Sequence, residues 1–468
     1  MPAPMQRDER LASFILTCVV TACASGGSGR ANGTNVGMSG RTAACADVVL
    51  GGEVDETLVW NQVMLDAVVA GTLGNPQTIR MAATVNTAMF DAQNGVGREY
   101  TPIFVTQTAP PATHCRAAAV QAAYVTLKSF YPAQLSRFDS QRAQSLAAFA
   151  SDDPANVERG IAWGENAANQ VLVWRATDGF SNPVPPFTGA GAVIGQWESA
   201  TGATLSAGNI SFTAPFVLTS NTQFQSAFVR PSAALDSAAY AASFNETATM
   251  GVKTGSRRTL DQTHIAFFFN GYATNDYVEA AIQLAKAHGT GRAENSRIFA
   301  LLAIALHDTS VTVFRAKRDF GMDPKEVTWR PIKAIAHAQH SRNPDTAPIS
   351  GWVPLISTPN HPEYPASHPG SHGAAPRVLQ HFFGDANSFE VHPAFNTVFP
   401  APPEGAVQPR RYTRISDMAQ EGVDARTYGG MHFRGASEAT RAVGAKIADY
   451  VLANAAQPLD AGRSASAP

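Results

Sequence analysis

The sequence predicts an all-α fold, a helical bundle carrying one long irregular loop, on three observations. Apolar residues recur at helical spacing along most of the chain, no sustained alternating run suggests a sheet, and residues 178–222 shift to Gly, Pro, Ser and Thr with little period of either kind. That stretch, which includes Trp197, reads as a structured loop over the bundle surface. The chain has 468 residues, 44% of them hydrophobic and 15% charged. An average domain has roughly 25% charged residues, so the composition excludes a disordered polyelectrolyte and implies extensive buried surface. Lys+Arg 35 against Asp+Glu 37 gives a net charge of −2, which argues against nucleic acid or a polybasic membrane surface as the main partner. Any cationic site is therefore local, and three of only seven lysines fall at Lys317, Lys325 and Lys333.

Taken in order, residues 1–24 read as an export signal: Arg7 and Arg10 precede an apolar run from Leu11 to Val20, too short to span a bilayer. Val20-Thr21-Ala22-Cys23 is similar to a bacterial lipobox, with Cys23 as the lipidated first residue, and cleavage after Ala24 by a general signal peptidase is the rival. The protein is thus expected in the cell envelope or periplasm, with a lipid anchor at Cys23 as one reading. Residues 25–44 form a Gly/Ser/Asn linker, 45–456 a single domain, and 457–468 a disordered tail. With Cys18 and Cys23 in the signal, Cys45 and Cys115 remain, either disulfide-bonded or as two free thiols.

Asn75-Pro76 marks a helix start, followed by Ile79, Ala82, Val85 and Met89 at helical spacing, with Gly95 as a stop. Further helices are predicted over 56–70, 117–130, 132–149, 155–176, 237–250, 261–269, 276–287, 295–314, 370–383 and 437–453. No fixed-period repeat is visible, and no transmembrane run follows the signal.

The chemistry concentrates between Lys317 and His432. On the helix from Asn295, Leu306, Ser310, Val313 and Lys317 share one apolar stripe, so Lys317 either snorkels to solvent or meets an anion. Trp329-Arg330-Pro331 adds a guanidinium suited to bidentate oxyanion contact. In His361-Pro362-Glu363-Tyr364-Pro365-Ala366-Ser367-His368-Pro369, His368 precedes a proline that fixes a helix's first turn, which places an imidazole at a helix N-terminus. Arg426 and His432 would diverge on an unbroken helix, but Gly429-Gly430 permits a break that lets them converge.

These segments, in this order, resemble the vanadium-dependent haloperoxidase and type 2 phosphatidic acid phosphatase superfamily. The matching positions are Lys317, Arg330-Pro331, Pro365-Ala366-Ser367-His368, and Ala425-Arg426 with His432 six residues on. The likeness extends from about Asp55 to Ala453, through Val59-Trp60-Asn61, Phe90-Asp91-Ala92 and Gly195-Gln196-Trp197, and looks nearest to the bacterial haloperoxidase-like branch. It implies vanadate as cofactor with His432 as the metal ligand (the nucleophile in a phosphatase) and His368 as acid/base. Lys317, Arg330, Arg426 and Ser367 would meet the oxyanion, and the fold would be of the haloperoxidase/acid phosphatase type. The implied partners are hydrogen peroxide, halide and a small organic substrate, and homo-oligomerisation stays open. Phosphomonoester hydrolysis by the same pocket is the alternative activity.

Several positions depart from the family pattern. Lys317 lies further before Arg330 than usual, with Lys325 as rival; Ala366 and Ala425 replace serines; Ala436 stands where some members place an aspartate that orients the histidine. A second register, Pro369-Gly370-Ser371-His372, competes with His368. Two further readings stand beside these: a metal hydrolase built on His368, His372, His361 and Asp308, and a non-catalytic envelope lipoprotein that keeps the fold. Cys23→Ser should move the protein from the membrane fraction to the soluble one, because a lipid anchor needs that thiol. A wild-type chain that is already soluble and begins at Ser25 refutes the lipobox.

Overall fold

The computed structural model describes residues 45, 54–189, 193–230, 234–402 and 407–459. The export signal with Cys18 and Cys23, the linker over 25–44 and all but residues 457–459 of the tail lie outside them. Side-chain caps set five of the described helix starts. Helix α1 (Glu56–Ala70) begins at Asp55, whose carboxylate accepts from Thr57 N–H, and α2 (Asn75–Gly97) opens on Asn75-Pro76. His114 caps α3 (Cys115–Phe130), α4 (Leu135–Ala147) follows a short 3-10 turn, and Asp153 caps α5 (Pro154–Ala176). Beyond the long loop, Ser237 caps α6 (Ala238–Met250) and a Thr259–Gln262 capping box starts α7 (Leu260–Phe268). Then come α8 (Ala273–His288), α9 (Arg292–Met322), α10 (Pro331–Ala336) and α11 (Ser367–Phe383). An antiparallel hairpin, β1 (Ala386–Val391) with β2 (Arg410–Arg414), precedes α12 (Ile415–Tyr428) and α13 (Arg434–Asn454).

Two three-helix groups build the core. Helices α2, α3 and α5 pack on one another, as do α9, α11 and α13, and α2 lies against α9 to join them. Close approach within each group depends on glycine. A Cβ on Gly164 of α5 would strike the Ala118 carbonyl of α3, and one on Gly444 of α13 would strike the Gly370 carbonyl of α11. Each group also has a central helix whose buried aspartate gathers three backbone amides. Asp91 of α2 accepts from Ile103, Phe104 and Val105 at 2.8–2.9 Å, and Asp308 of α9 accepts from Phe216, Val217 and Leu218 at 2.7–3.0 Å. The second set pins the long loop, whose Ile210 also packs on Val311 and Phe314 of α9. A disulfide joins Cys45 to Cys115, tying the chain ahead of α1 to the first residue of α3.

Several helices match the periodicity closely, and the departures have physical causes. Helix α9 runs on to Met322, well past the predicted end at Phe314, so Lys317 is an interior residue of the helix. This helix is long and apolar enough to cross a membrane, but 94% of its most apolar window is buried in the bundle, as suits a core helix. Asn75 occupies the first helical position rather than the cap, which is Gly74, and its side chain is turned to His368 instead. Helix α12 was hidden by its polar sequence and by Gly422; the strands β1 and β2, six and five residues long, are too short for an alternating run to stand out.

Replacing Asp308 with Ala leaves three amides of the long loop without their acceptor, and each buried unsatisfied group costs roughly 1–3 kcal/mol. Thermal melts of Asp308→Ala should therefore show a loss of at least about 3 kcal/mol, and limited proteolysis should cut the loop near Phe216 before the bundle.

Candidate active site

At one end of the second helix group, α9, α10, α11 and the α12–α13 turn bring their polar residues together. Lys317, fully buried on α9, donates from Nζ to the Pro362 carbonyl at 2.6 Å. Arg330 caps α10 and lies across the site. Its Nε donates to His361 O at 2.8 Å, Nη1 to Met431 O at 2.7 Å and to His432 Nε2 at 2.9 Å, and Nη2 to His361 Nδ1 at 2.7 Å. The α12–α13 turn works as the glycine pair suggests: α12 stops at Tyr428, and Gly430 takes φ 74°, open to glycine at little cost. His432 thereby swings back over the Arg426 side of the helix, its backbone N–H 3.4 Å from Arg426 O. Arg426 Nη1 donates to Phe269 O at 3.1 Å, Nη2 lies 3.2 Å from Met431 Sδ, and buried Nε has no partner.

His368 is half-buried at the start of α11, its Nε2 3.4 Å from Asn75 Nδ2 and 3.3 Å from Gly271 O. Ser367, also half-buried, is the first helical residue, and no side chain caps this helix because its N-cap is Ala366. The Ala366 N–H goes to Thr440 Oγ1 at 3.0 Å instead.

The electrostatics follow from burial. Loss of water pulls Lys317 well below its ordinary value, and neighbouring Arg330 adds to the effect. Arg330 and Arg426 are each pulled down to about 9, chiefly by burial, Arg426 also by Arg330. Burial likewise keeps His361, His368 and His432 well below the usual imidazole range, with the surrounding cations acting in the same direction. Among the described residues the carboxylate within this group is Glu363, whose pKa burial raises. Three cations facing one carboxylate in a dry site form a place for an anion, because a bound oxyanion offsets the charges that water does not.

Of the residues singled out from sequence, Lys317, Arg330, Arg426 and His432 come together, with His368 and Ser367 at the edge of the group. Lys325 is exposed on the loop after α9, so Lys317 is the lysine of this cluster. The second register places His372 elsewhere, its Nδ1 2.8 Å from Tyr277 Oη and its ring filling the space beside Gly422. The metal-hydrolase grouping does not form: Asp308 is engaged by three amides, and among the described residues no His, Cys, Asp and Glu side chains group as a metal site. Sequence reasoning missed Glu363, Asn75 and Arg230, and weighed His361 only as a metal ligand. A cleft of about 580 Å³ ends on Arg330, walled by Trp197, Ile332, Ala336 and Pro359 and bridged by a Lys333–Glu198 ion pair of 2.5 Å.

A buried cluster of cations around an imidazole, set at one end of a helical bundle, is an arrangement suited to an oxyanion. Residues 297–461 match the family model of the VCPO second helical-bundle domain. The fold is shared with a crystal structure described as that of the first bacterial vanadium-dependent iodoperoxidase (TM-score 0.71, 22% identity, 87% of this chain and 99% of that one). It is also shared with the bacterial vanadium-dependent chloroperoxidase, in its holo form (TM-score 0.60, 15% identity, 81% and 92%) and its apo form (0.60, 16%, 82% and 95%). No curated protein matches the chain by sequence. The chain thus shares the fold of these bacterial vanadium-dependent haloperoxidases, and its C-terminal part carries the helical-bundle domain that the family model describes.

Lys317→Met removes a buried cation, so the anion-free protein should melt at the same or a higher temperature while vanadate binding weakens. Loss of one charge-assisted bond, about 1.5–3 kcal/mol, corresponds to a ten- to hundredfold rise in Kd by calorimetry. Lys325→Ala should leave both quantities unchanged.

Proposed function

We propose that this chain is a vanadate-dependent haloperoxidase-like enzyme that oxidises halide with hydrogen peroxide. The observation that carries the reading is the convergence of Lys317, Arg330 and Arg426 on His432, whose Nε2 faces the guanidinium of Arg330. His432 Nε2 would ligate the metal, and the three cations would hold the oxygens around it. Vanadate bound there would supply a Lewis-acidic centre for peroxide chemistry.

The remaining work falls to the protein's own side chains. His368, neutral through burial, is placed to take and return a proton at its ring, with Asn75 and Gly271 setting the ring's orientation. Lys317 and the two arginines keep negative charge in the pocket without help from water. The cleft that ends on Arg330 gives halide, peroxide and an organic acceptor a route to the cluster, and its volume lies within the roughly 300–1,000 Å³ usual for small-molecule sites. The Cys45–Cys115 disulfide supports placement outside the cytoplasm.

Phosphate has the same tetrahedral shape as vanadate, so one paired assay decides the activity. Purified protein with added vanadate should brominate or iodinate a phenolic acceptor in the presence of peroxide and halide, and His432→Ala should abolish this while the protein stays folded. Turnover of an aryl phosphate without vanadate, and no peroxide-dependent halogenation with it, would assign the pocket to phosphoester hydrolysis instead.

A further inference from the structure

We infer that Glu363, balanced by Arg230, is the positioning residue that presents His432 for ligation, a task for which position 436 offers only alanine. The inference rests on the oxyanion reading of the site but begins from hydrogen-bond chemistry alone. A guanidinium has donors and no acceptor. Because Arg330 Nη1 lies 2.9 Å from His432 Nε2, that nitrogen must be the acceptor. A neutral imidazole then carries its proton on Nδ1, and Nδ1 faces Glu363 Oε1 at 3.3 Å. The same oxygen accepts the backbone N–H of Phe433 at 3.0 Å, so one carboxylate oxygen holds both the ring of His432 and the peptide that follows it. The lone pair left on Nε2 is the one a metal would take.

Glu363 is itself fixed. Its backbone N–H donates to Thr328 O at 2.9 Å, and its side chain is fully buried. The second oxygen, Oε2, has no hydrogen-bond partner, but Arg230 Nη1 stands 3.5 Å from it. Arg230 is also buried, with its guanidinium 4.2 Å over the ring of Tyr364 and its other ion-pair partner, Glu326, at 3.8 Å. The division of labour matters. A buried carboxylate beside Lys317 and Arg330 would otherwise draw those cations to itself and cancel the charge that attracts the anion. Arg230 meets the oxygen that His432 does not use, so Glu363 is balanced there and the three site cations stay available. Ala436, fully buried at the start of α13, brings no polar atom of its own side chain to this arrangement.

The test uses the full chain with 15N-labelled histidine. In the anion-free wild type, the His432 ring nitrogens should show the Nδ1–H tautomer with the shift of a proton bonded to a carboxylate, and Glu363→Ala should lose that signature. Vanadate Kd, read by calorimetry, should rise ten- to hundredfold in Glu363→Ala, the range usual for removal of a ligand's hydrogen-bond partner. Glu363→Gln keeps an acceptor oxygen and should hold the tautomer with a smaller loss of affinity, and it serves as the reporting variant if the alanine variant fails to fold. An alanine variant that keeps the Nδ1–H signature and binds vanadate within twofold of wild type would overturn the inference, as would a glutamine variant that binds as poorly as alanine and loses the tautomer. If wild-type protein binds no vanadate, the functional reading fails by itself, and the tautomer measurement still decides the role of Glu363.

Discussion

Three cations buried against a single carboxylate are the constraint on which this structure turns. Lys317, Arg330 and Arg426 have given up water, and burial has pulled each below its ordinary pKa. Such a group persists only inside a framework that holds it by other means. Here those means are carbonyls: Pro362 O for Lys317, His361 O and Met431 O for Arg330, and Phe269 O for Arg426. Each carbonyl belongs to a connecting segment and not to a helix, so the connections are shaped by the charges they satisfy. That explains how a chain with a net charge of −2 can hold a strongly positive site.

The framework draws on both helix groups. The cations come from the second group and its connections, yet Asn75, which touches His368, opens α2 of the first. Packing of α11 on α9 sets the distance between His368 and the lysine, and packing of α2 against α9 brings Asn75 up to the histidine. The aspartates at the middle of these two helices serve the same end. Asp91 and Asp308 each replace water for three backbone amides, which lets an irregular segment lie flat on the bundle without unsatisfied groups. The long loop is ordered by such contacts, and its Trp197 forms a wall of the cleft beside Arg330.

What could be read from sequence was what repeats or what is local. Helical period located α1, α3, α5, α6 and α8, and the same period put Lys317 on the apolar stripe of α9, where the structure buries it. The glycine pair after Arg426 was legible because a break there is a local backbone property. Glu363 and Asn75 were not, since the first meets a ring 69 residues away and the second one 293 residues away, and no spacing rule encodes either contact. Lys325 against Lys317 shows the same limit. Both lie ahead of Arg330 in sequence, and only the continuation of α9 to Met322, which leaves Lys325 exposed, separates them.

Arg330 links these observations. Its donors are divided between two imidazoles and two carbonyls, with Nη1 shared between His432 Nε2 and Met431 O. The bonds to carbonyls anchor the guanidinium, whereas the bond to Nε2 lies on the atom that a bound metal would need. Exchanging that one neutral acceptor for an anionic oxygen strengthens the interaction, because the guanidinium then meets an opposite charge as well as an acceptor. On the proposed reading this contact would give way for His432 to ligate, while the anchors to His361 O and Met431 O, and Glu363 behind the ring, could stay in place. The guanidinium of Arg330 is thus held by the same carbonyls that make its burial tolerable, with one contact, to His432 Nε2, facing the site.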